Sequence, residues 1–349
     1  MKKTLLFAFC IMLSLCTFAT TNTTNDAPKK VKMILDIDTG IDDAMALAYA
    51  IASPEIDLIG VTTTFGNVAL ETSNKNTLAL LDMLNQKSIP VYPGFVNATG
   101  TKGVYKANSV VEFIHGMNGL GNVKIAPSPR KVESKHASDF MVESAAKYGK
   151  DLIIVAVGPM TNLEGALQKD PKLGDKIQKI VIMGGALVVE GNMSPYAEAN
   201  IWNDPIAANK LFSSKTKFTM VGLDVTQRPN LTKKDTQKWR ELGTVSGKAY
   251  ADIVDHYIDS YAKSAPELGG CALHDPLAVA VAIHPDFVKT LTLNMKVGTD
   301  KNSSEWGRTV GDSGRMNQPD PNVSVCVDLK VQKFVEHFTK TLTELFAKN

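Results

Sequence analysis

The sequence predicts an α/β fold, an open and mostly parallel Rossmann-like sheet with helices on both faces. Three observations predict it. Short apolar runs recur at 31–35, 56–63, 152–157, 179–183 and 217–223, each the length of a strand. Helix-patterned stretches lie between them, at 69–85, 137–148 and 162–168. Polar, glycine-containing turns follow several of the strand-like runs, and in open α/β sheets that is where ligands bind.

Taken in order, the chain of 349 residues opens with Met1-Lys2-Lys3 and an apolar stretch from Thr4 to Ala19. A charged start, apolar middle and small-residue end read as a secretory signal, too short for a membrane span. Residues 20–30, polar and rich in Thr and Asn, read as a flexible leader, and 31–349 as a single domain. Export would end in a periplasm or outside the cell. Without Lys2 and Lys3, 36 basic residues face 36 acidic ones, so charge gives no case for nucleic acid or an anionic membrane. Outside the signal only Cys271 and Cys326 remain. Two cysteines make no disulfide framework, and two buried thiols are the simpler reading.

The first predicted strand, 31–35, runs into Asp36, Asp38, Asp42 and Asp43, with Gly40 free to take whatever backbone angles the turn needs and a helix expected over 44–52. One Asp there would merely cap a helix. Four within eight residues repel one another, and no Lys or Arg stands between Lys32 and Lys75 to offset them. Such a group either raises a pKa or recruits a cation. Hard oxygen ligands favour Ca²⁺ or Mg²⁺ over zinc.

The stretch 95–129 lacks periodicity, and so long a loop in a compact domain is a candidate lid. Polar residues then gather where strands should end: Gly66-Asn67, His115-Gly116, Gly158-Pro159-Met160-Thr161-Asn162, Gly184-Gly185 and His274-Asp275-Pro276. Each alone has a structural explanation in turns and caps. Their recurrence points to one site.

These motifs carry a resemblance. The chain resembles the inosine–uridine nucleoside hydrolases in its Asp-x-Asp-x-Gly-x-Asp-Asp-Ala run (Asp36 to Ala44), its Gly-Asn turn at Asn67 and its His-Gly-x-x-Gly loop at His115. The Gly-Pro-x-Thr-Asn turn, the Met-Gly-Gly at Met183 and the His-Asp-Pro at His274 follow in the family's order. The resemblance implies a nucleoside hydrolase fold that cleaves the N-glycosidic bond of ribonucleosides, using Ca²⁺. It implies a homo-oligomer, dimer or tetramer, and no stretch of the chain is apolar and long enough to read as a membrane span.

By position, it makes Asp38, Asp43, Asp275 and the Val157 carbonyl the Ca²⁺ ligands, with Asp38 also the general base. Asp42 and Asn200 would hold the ribose hydroxyls, Asn192 and Glu198 the 5′-hydroxyl end, and Met183 would pack on the sugar. Asn67 would also face the substrate. His274 would be the acid for the leaving base, with His115 on the same side. One departure is Ala199, where the family often has Phe; it opens space beside the ribose and leaves base preference open.

Two rivals share parts of the pattern. Asp36-Ile37-Asp38-Thr39 after a strand also resembles the haloacid-dehalogenase phosphatases, and Gly311-Asp312 begins their late acidic motif, though Met316 stands where its next Asp belongs. An exported nucleoside-binding protein without turnover would share the ribose contacts but not need a general base.

Overall fold

A computed structural model describes residues 30–349. The expected signal and nearly all of the expected leader lie outside the described residues. Eight strands form the central sheet: β1 (Val31–Ile37), β2 (Ile56–Thr63), β3 (Val91–Pro93), β4 (Leu152–Ala156), β5 (Lys179–Met183), β6 (Phe218–Val221), β7 (Val288–Leu293) and β8 (Val323–Leu329). Their order across the sheet is β3-β2-β1-β4-β5-β6-β8-β7. All pairings are parallel except that of β7 with β8. The chain therefore winds outward from β1 in one direction and from β4 in the other. The gap between β1 and β4 is the switch point where such sheets bind ligands.

The period-2 pattern of each central strand splits its side chains between two cores. Met33, Leu35 and Ile37 of β1, with Val155 of β4, join one core. Ile34 of β1 joins the other with Ile154 and Ile182. Both faces of these strands are buried, which is why they read as unbroken apolar runs. The first core also takes in α1 (Ile41–Ala52) and α2 (Leu70–Met83), the latter through Leu78, Leu80 and Leu81. The C-terminal helix (Val331–Phe346) joins them, its buried Phe334, Phe338, Leu342 and Leu345 recurring at helical spacing. Among the described residues no helix is long and apolar enough to cross a membrane.

The expected elements are present, with ends shifted by a few residues. Three features depart from expectation. First, 95–129 is not all loop: α3 (Ser109–His115) forms within it, started by Asn108 Oδ1 accepting from Val110 N at 2.9 Å and Val111 N at 3.0 Å. Two turns of helix are too short to show a period. Second, the C-terminal β7–β8 pair extends the sheet beyond β6; four of the six β7 residues are exposed, so no buried pattern marks that strand. Third, Gly40 adopts an ordinary extended conformation. Glycine is needed there for space, because a Cβ would stand 2.6 Å from His115 Nδ1 and 2.7 Å from Asn67 Nδ2. The left-handed residue is its neighbour Thr39, with φ +27°.

Cys271 and Cys326 are buried free thiols, in line with the simpler reading of the sequence.

Candidate active site

The site sits at the carboxyl ends of β1, β2, β4 and β5. β1 ends at Ile37, so Asp38 and Thr39 form the turn, and α1 begins at Ile41 with Asp42 and Asp43 in its first turn. Asp43 does what an acidic cap does: it accepts from Gly40 N at 2.8 Å and from Asp38 N at 3.0 Å. It also accepts from Asn67 Nδ2 at 2.8 Å, which pulls in the turn after β2. Asp38 accepts from Asn67 N at 2.7 Å and, through its other oxygen, from Asn67 Nδ2 at 3.2 Å. Gly66 has to be glycine, since its φ is +151° and a Cβ would overlap the Asp38 carboxylate.

Asp42, Asp43 and Asp275, the last in the first turn of α4 (His274–Ile283), bring carboxylate oxygens within 4.8 Å of one another, all buried. Asp42 is the telling member. Its Oδ1 is buried and has no hydrogen-bond partner. Burial, and then the charge of Asp43, push its carboxyl up to about 8. Burial and the neighbouring Asp42, Asp43 and Asp38 likewise hold Asp275 well above the usual range. Asp43, which does cap, has partners on both oxygens, so capping does not account for the orphaned oxygen of Asp42. Buried carboxylates that repel each other and offer only oxygen suit a hard divalent cation.

Asp36 does not join this group. Its Oδ1 accepts from Thr62 Oγ1 at 2.6 Å and Asn162 Nδ2 at 2.8 Å, tying β1 to β2 and to the helix Thr161–Lys169. Burial pushes it up to about 7. The sequence shows four acids within eight residues; the fold separates one as a structural clasp.

The other expected residues converge on the same cleft, a cavity of about 450 Å³ lined by Asp42, Asn67, His115, Val157, Met183, Asn192, Glu198, Asn200, His274 and Asp275. The volume is of nucleoside size. Asn200 Nδ2 donates to the Val157 carbonyl at 2.7 Å and to the Met183 carbonyl at 3.2 Å, so it bridges β4 and β5 at the cleft floor. Glu198 starts the short helix Ala199–Asn203, accepting from Asn200 N, Gly185 N and Ile201 N. Asn192 Oδ1 accepts from Ala199 N at 2.9 Å, and Ala199 lines the cleft as well.

His115 Nδ1 accepts from Ile41 N at 3.2 Å and lies 3.9 Å from Asp42 Oδ1. Burial drives its pKa down to about 3. His274 bonds Thr226 Oγ1 through Nδ1 and the Tyr261 hydroxyl through Nε2, both at 2.7 Å. Burial takes it down to about 4, so the ring is neutral at neutral pH.

The sequence reading missed Tyr257 and Tyr261, four apart on the helix Val245–Ser264, and Gln227, all lining the cleft. Nothing in the sequence distinguishes that pair of tyrosines from the buried face of an amphipathic helix. Asp312, the rival phosphatase acid, is absent from the cleft and bonds Arg315 Nε at 2.7 Å instead. Asp36 is occupied as a clasp. The phosphatase reading fails on both counts.

Comparison with known proteins agrees with this geometry. A model of the family described as inosine-uridine preferring nucleoside hydrolase matches residues 33–336. Uridine nucleosidase 1 of Arabidopsis thaliana is 38% identical over 261 residues, 74% of this chain and 75% of that protein. The pyrimidine-specific ribonucleoside hydrolase RihA of Escherichia coli O9:H4 (strain HS) is 33% identical over 304 residues, 87% of this chain and 96% of its own. The solved structure of a purine-preferring ribonucleoside hydrolase from Gardnerella vaginalis superposes with a TM-score of 0.88 at 48% identity, covering 91% of this chain and 100% of that one. Fold and cleft thus define a hydrolytic enzyme of the nucleoside hydrolase class. The chain belongs to the inosine-uridine preferring nucleoside hydrolase family.

The buried acids make stability depend on pH in a defined direction. A carboxyl whose folded pKa lies above its unfolded value of about 4 favours the folded state at low pH and loses that contribution as pH rises through the folded pKa. For Asp36 and Asp42 that loss extends to about 7 and about 8. His115 and His274, held at about 3 and about 4, act oppositely, but their effect is complete above the unfolded His value of about 6.5. Metal-stripped protein should therefore lose thermal stability between pH 6.5 and 8, and excess Ca²⁺ should reduce the part of the loss that comes from Asp42 and its cluster while leaving the part from Asp36. A melting temperature that rises over this window in chelator would contradict the raised carboxyl pKa values of Asp36 and Asp42.

Proposed function

We propose that this protein hydrolyses the N-glycosidic bond of ribonucleosides to free base and ribose. One observation carries the reading: a buried carboxylate cluster opens onto a nucleoside-sized cleft through Asp275 and through Asp42, which has an unpartnered oxygen. Among the described residues that line this cleft there is no Lys or Arg, while Glu190, Glu198 and Glu267 add further acid. That lining suits a neutral sugar that becomes cationic in the reaction and repels a phosphate.

Asp43 and Asp275 of the buried cluster would hold Ca²⁺ together with the Val157 carbonyl and Asp38, which lies outside that cluster but shares the Asn67 amide with Asp43, leaving Asp42 for the sugar; a bound divalent ion would supply counter-charge and lower the pKa of water. Asp38 serves as general base, positioned by its two bonds from Asn67. Asp42 and Asn200 hold the ribose hydroxyls, Asn192 and Glu198 the 5′-hydroxyl end, and Met183 packs against the sugar. The carboxylates also stabilise the positive charge that grows on the ribose as the C1′–N bond breaks. His274, bonded through Nε2 to Tyr261, supplies the proton that the departing base needs. With Ala199 lining the cleft, the space beside the ribose is open, and we propose that purine and pyrimidine ribonucleosides are both accepted.

The test is product analysis with inosine, uridine, adenosine and cytidine alongside their 5′-monophosphates. The nucleosides should release base and ribose, and the monophosphates should react at least about 100-fold more slowly, the scale of a few kcal/mol of charge repulsion. Tight nucleoside binding without any free base would establish a binding protein instead.

A further inference from the structure

The substrate's ribose end is well supplied with polar groups, but its base end is not. Of the polar side chains there, Tyr261 is committed to His274 Nε2 and Ser264 Oγ to the Ser260 carbonyl at 3.1 Å, which leaves the Glu267 carboxyl, beside Leu268, and the Gln227 carboxamide. Apolar surface comes from Val110, Val111 and Ile114 of α3 on one element and Leu268 on another. A flat heterocycle fits between such walls, yet walls alone read no hydrogen-bonding pattern.

We propose that Gln227 supplies that reading by pairing with the amide-like edge of the nucleobase. The inference rests on the ribonucleoside reading above. Gln227 lines the cleft, is half-buried, and among the described residues its side-chain carboxamide has no partner in the protein. Its backbone is fixed, because it closes the one-turn helix Leu223–Thr226 and its N–H bonds back to Leu223 and Val225. That helix also places Gln227 at the leaving-group end. Thr226 holds His274 Nδ1, and Asp224 accepts from Leu187 N at 2.9 Å and Val188 N at 2.8 Å, pinning the start of the loop that carries Asn192.

A carboxamide offers one donor side and one acceptor side in a single plane. It matches the adjacent N–H and C=O of hypoxanthine or uracil. Turned by half a rotation, it matches the amino group and ring nitrogen of adenine or cytosine. One residue thus admits several bases while demanding that a base be present, which is a specificity of edge rather than of ring size.

The test compares wild type with Gln227→Leu, which keeps the bulk and removes both polar atoms. On inosine and uridine kcat/KM should fall about 10- to 100-fold, the loss of two hydrogen bonds to substrate. On p-nitrophenyl riboside, which has no such edge, it should change less than about threefold, with the melting temperature unaltered. Gln227→Glu, which cannot donate, should also be weakened on the nucleosides only. An equal loss on all three substrates would make Gln227 a scaffold residue, and no loss on the nucleosides would end the proposal. Calorimetric Kd values for inosine and for ribose, taken on the same proteins, separate this from the function itself. If nucleosides bind without turnover, hydrolysis fails while Gln227 stands or falls on whether the variant weakens inosine and spares ribose. Wild type that neither binds nor cleaves nucleosides overturns both.

Discussion

Asp43→Ala should abolish tight Ca²⁺ binding and lower kcat/KM on ribonucleosides by about 10³-fold or more, the scale of losing several kcal/mol of transition-state charge stabilisation. The size follows from where the carboxylate sits. It belongs to the buried group with Asp42 and Asp275, and it also receives the Asp38 and Gly40 backbone N–H groups and the Asn67 amide. Alanine removes both a charge and an acceptor, so the turn itself would loosen. Asp43→Asn separates the two roles, since it keeps an acceptor for the backbone but discards the charge. It should fold with a near-normal circular dichroism spectrum and still fail to bind Ca²⁺ in a calorimetric titration. Full activity of the wild type after exhaustive chelation would remove the metal from the mechanism.

The second large effect is expected at His274. Base departure from inosine needs a proton, whereas p-nitrophenolate leaves without one. His274→Ala should therefore cost about 10²- to 10⁴-fold in kcat on inosine, the usual worth of general acid help, and far less on p-nitrophenyl riboside. The structure adds a partner to this expectation. His274 is buried and neutral at rest, with both ring nitrogens engaged by Thr226 and Tyr261, so it would have to take up a proton before bond cleavage and pass it to the base through the Tyr261 hydroxyl. Tyr261→Phe should then show the same split between substrates in weaker form. Equal losses on both substrates would assign His274 to holding Asp275 and the sugar in place.

Much of the fold and of the site is legible in the residues alone. The buried strands announce themselves because β1, β4 and β5 are covered on both faces, which leaves a continuous apolar run. The turn residues are legible for the same reason: polar groups after such runs have nowhere to go but the carboxyl edge of the sheet. Three things stay hidden. Asp36 looks like its neighbours, and only the approach of Thr62 and Asn162 from another strand and a helix makes it a clasp. Tyr257 and Tyr261 obey the helical period of the core, so their place on the cleft wall depends on elements far away in the chain. The β7 edge strand, with four of its six residues exposed, has no burial to betray it.

Thr39 has a consequence for how this enzyme can change. A β-branched residue at φ +27° is out of place, and such backbone strain costs about 1–3 kcal/mol. Its hydroxyl is gripped by Ser73 at 2.9 Å and Thr77 at 2.7 Å, while Asn76 donates to its carbonyl at 3.3 Å. All three belong to α2, which thus holds the turn in a shape it would not choose, directly between Asp38 and the start of α1. Selection for heat resistance would find relief here, by glycine or asparagine, and would slacken the spacing of the acids as it did so. Durability and turnover compete at this residue, and lineages of this enzyme that adapt to high temperature should gain their stability elsewhere in the chain.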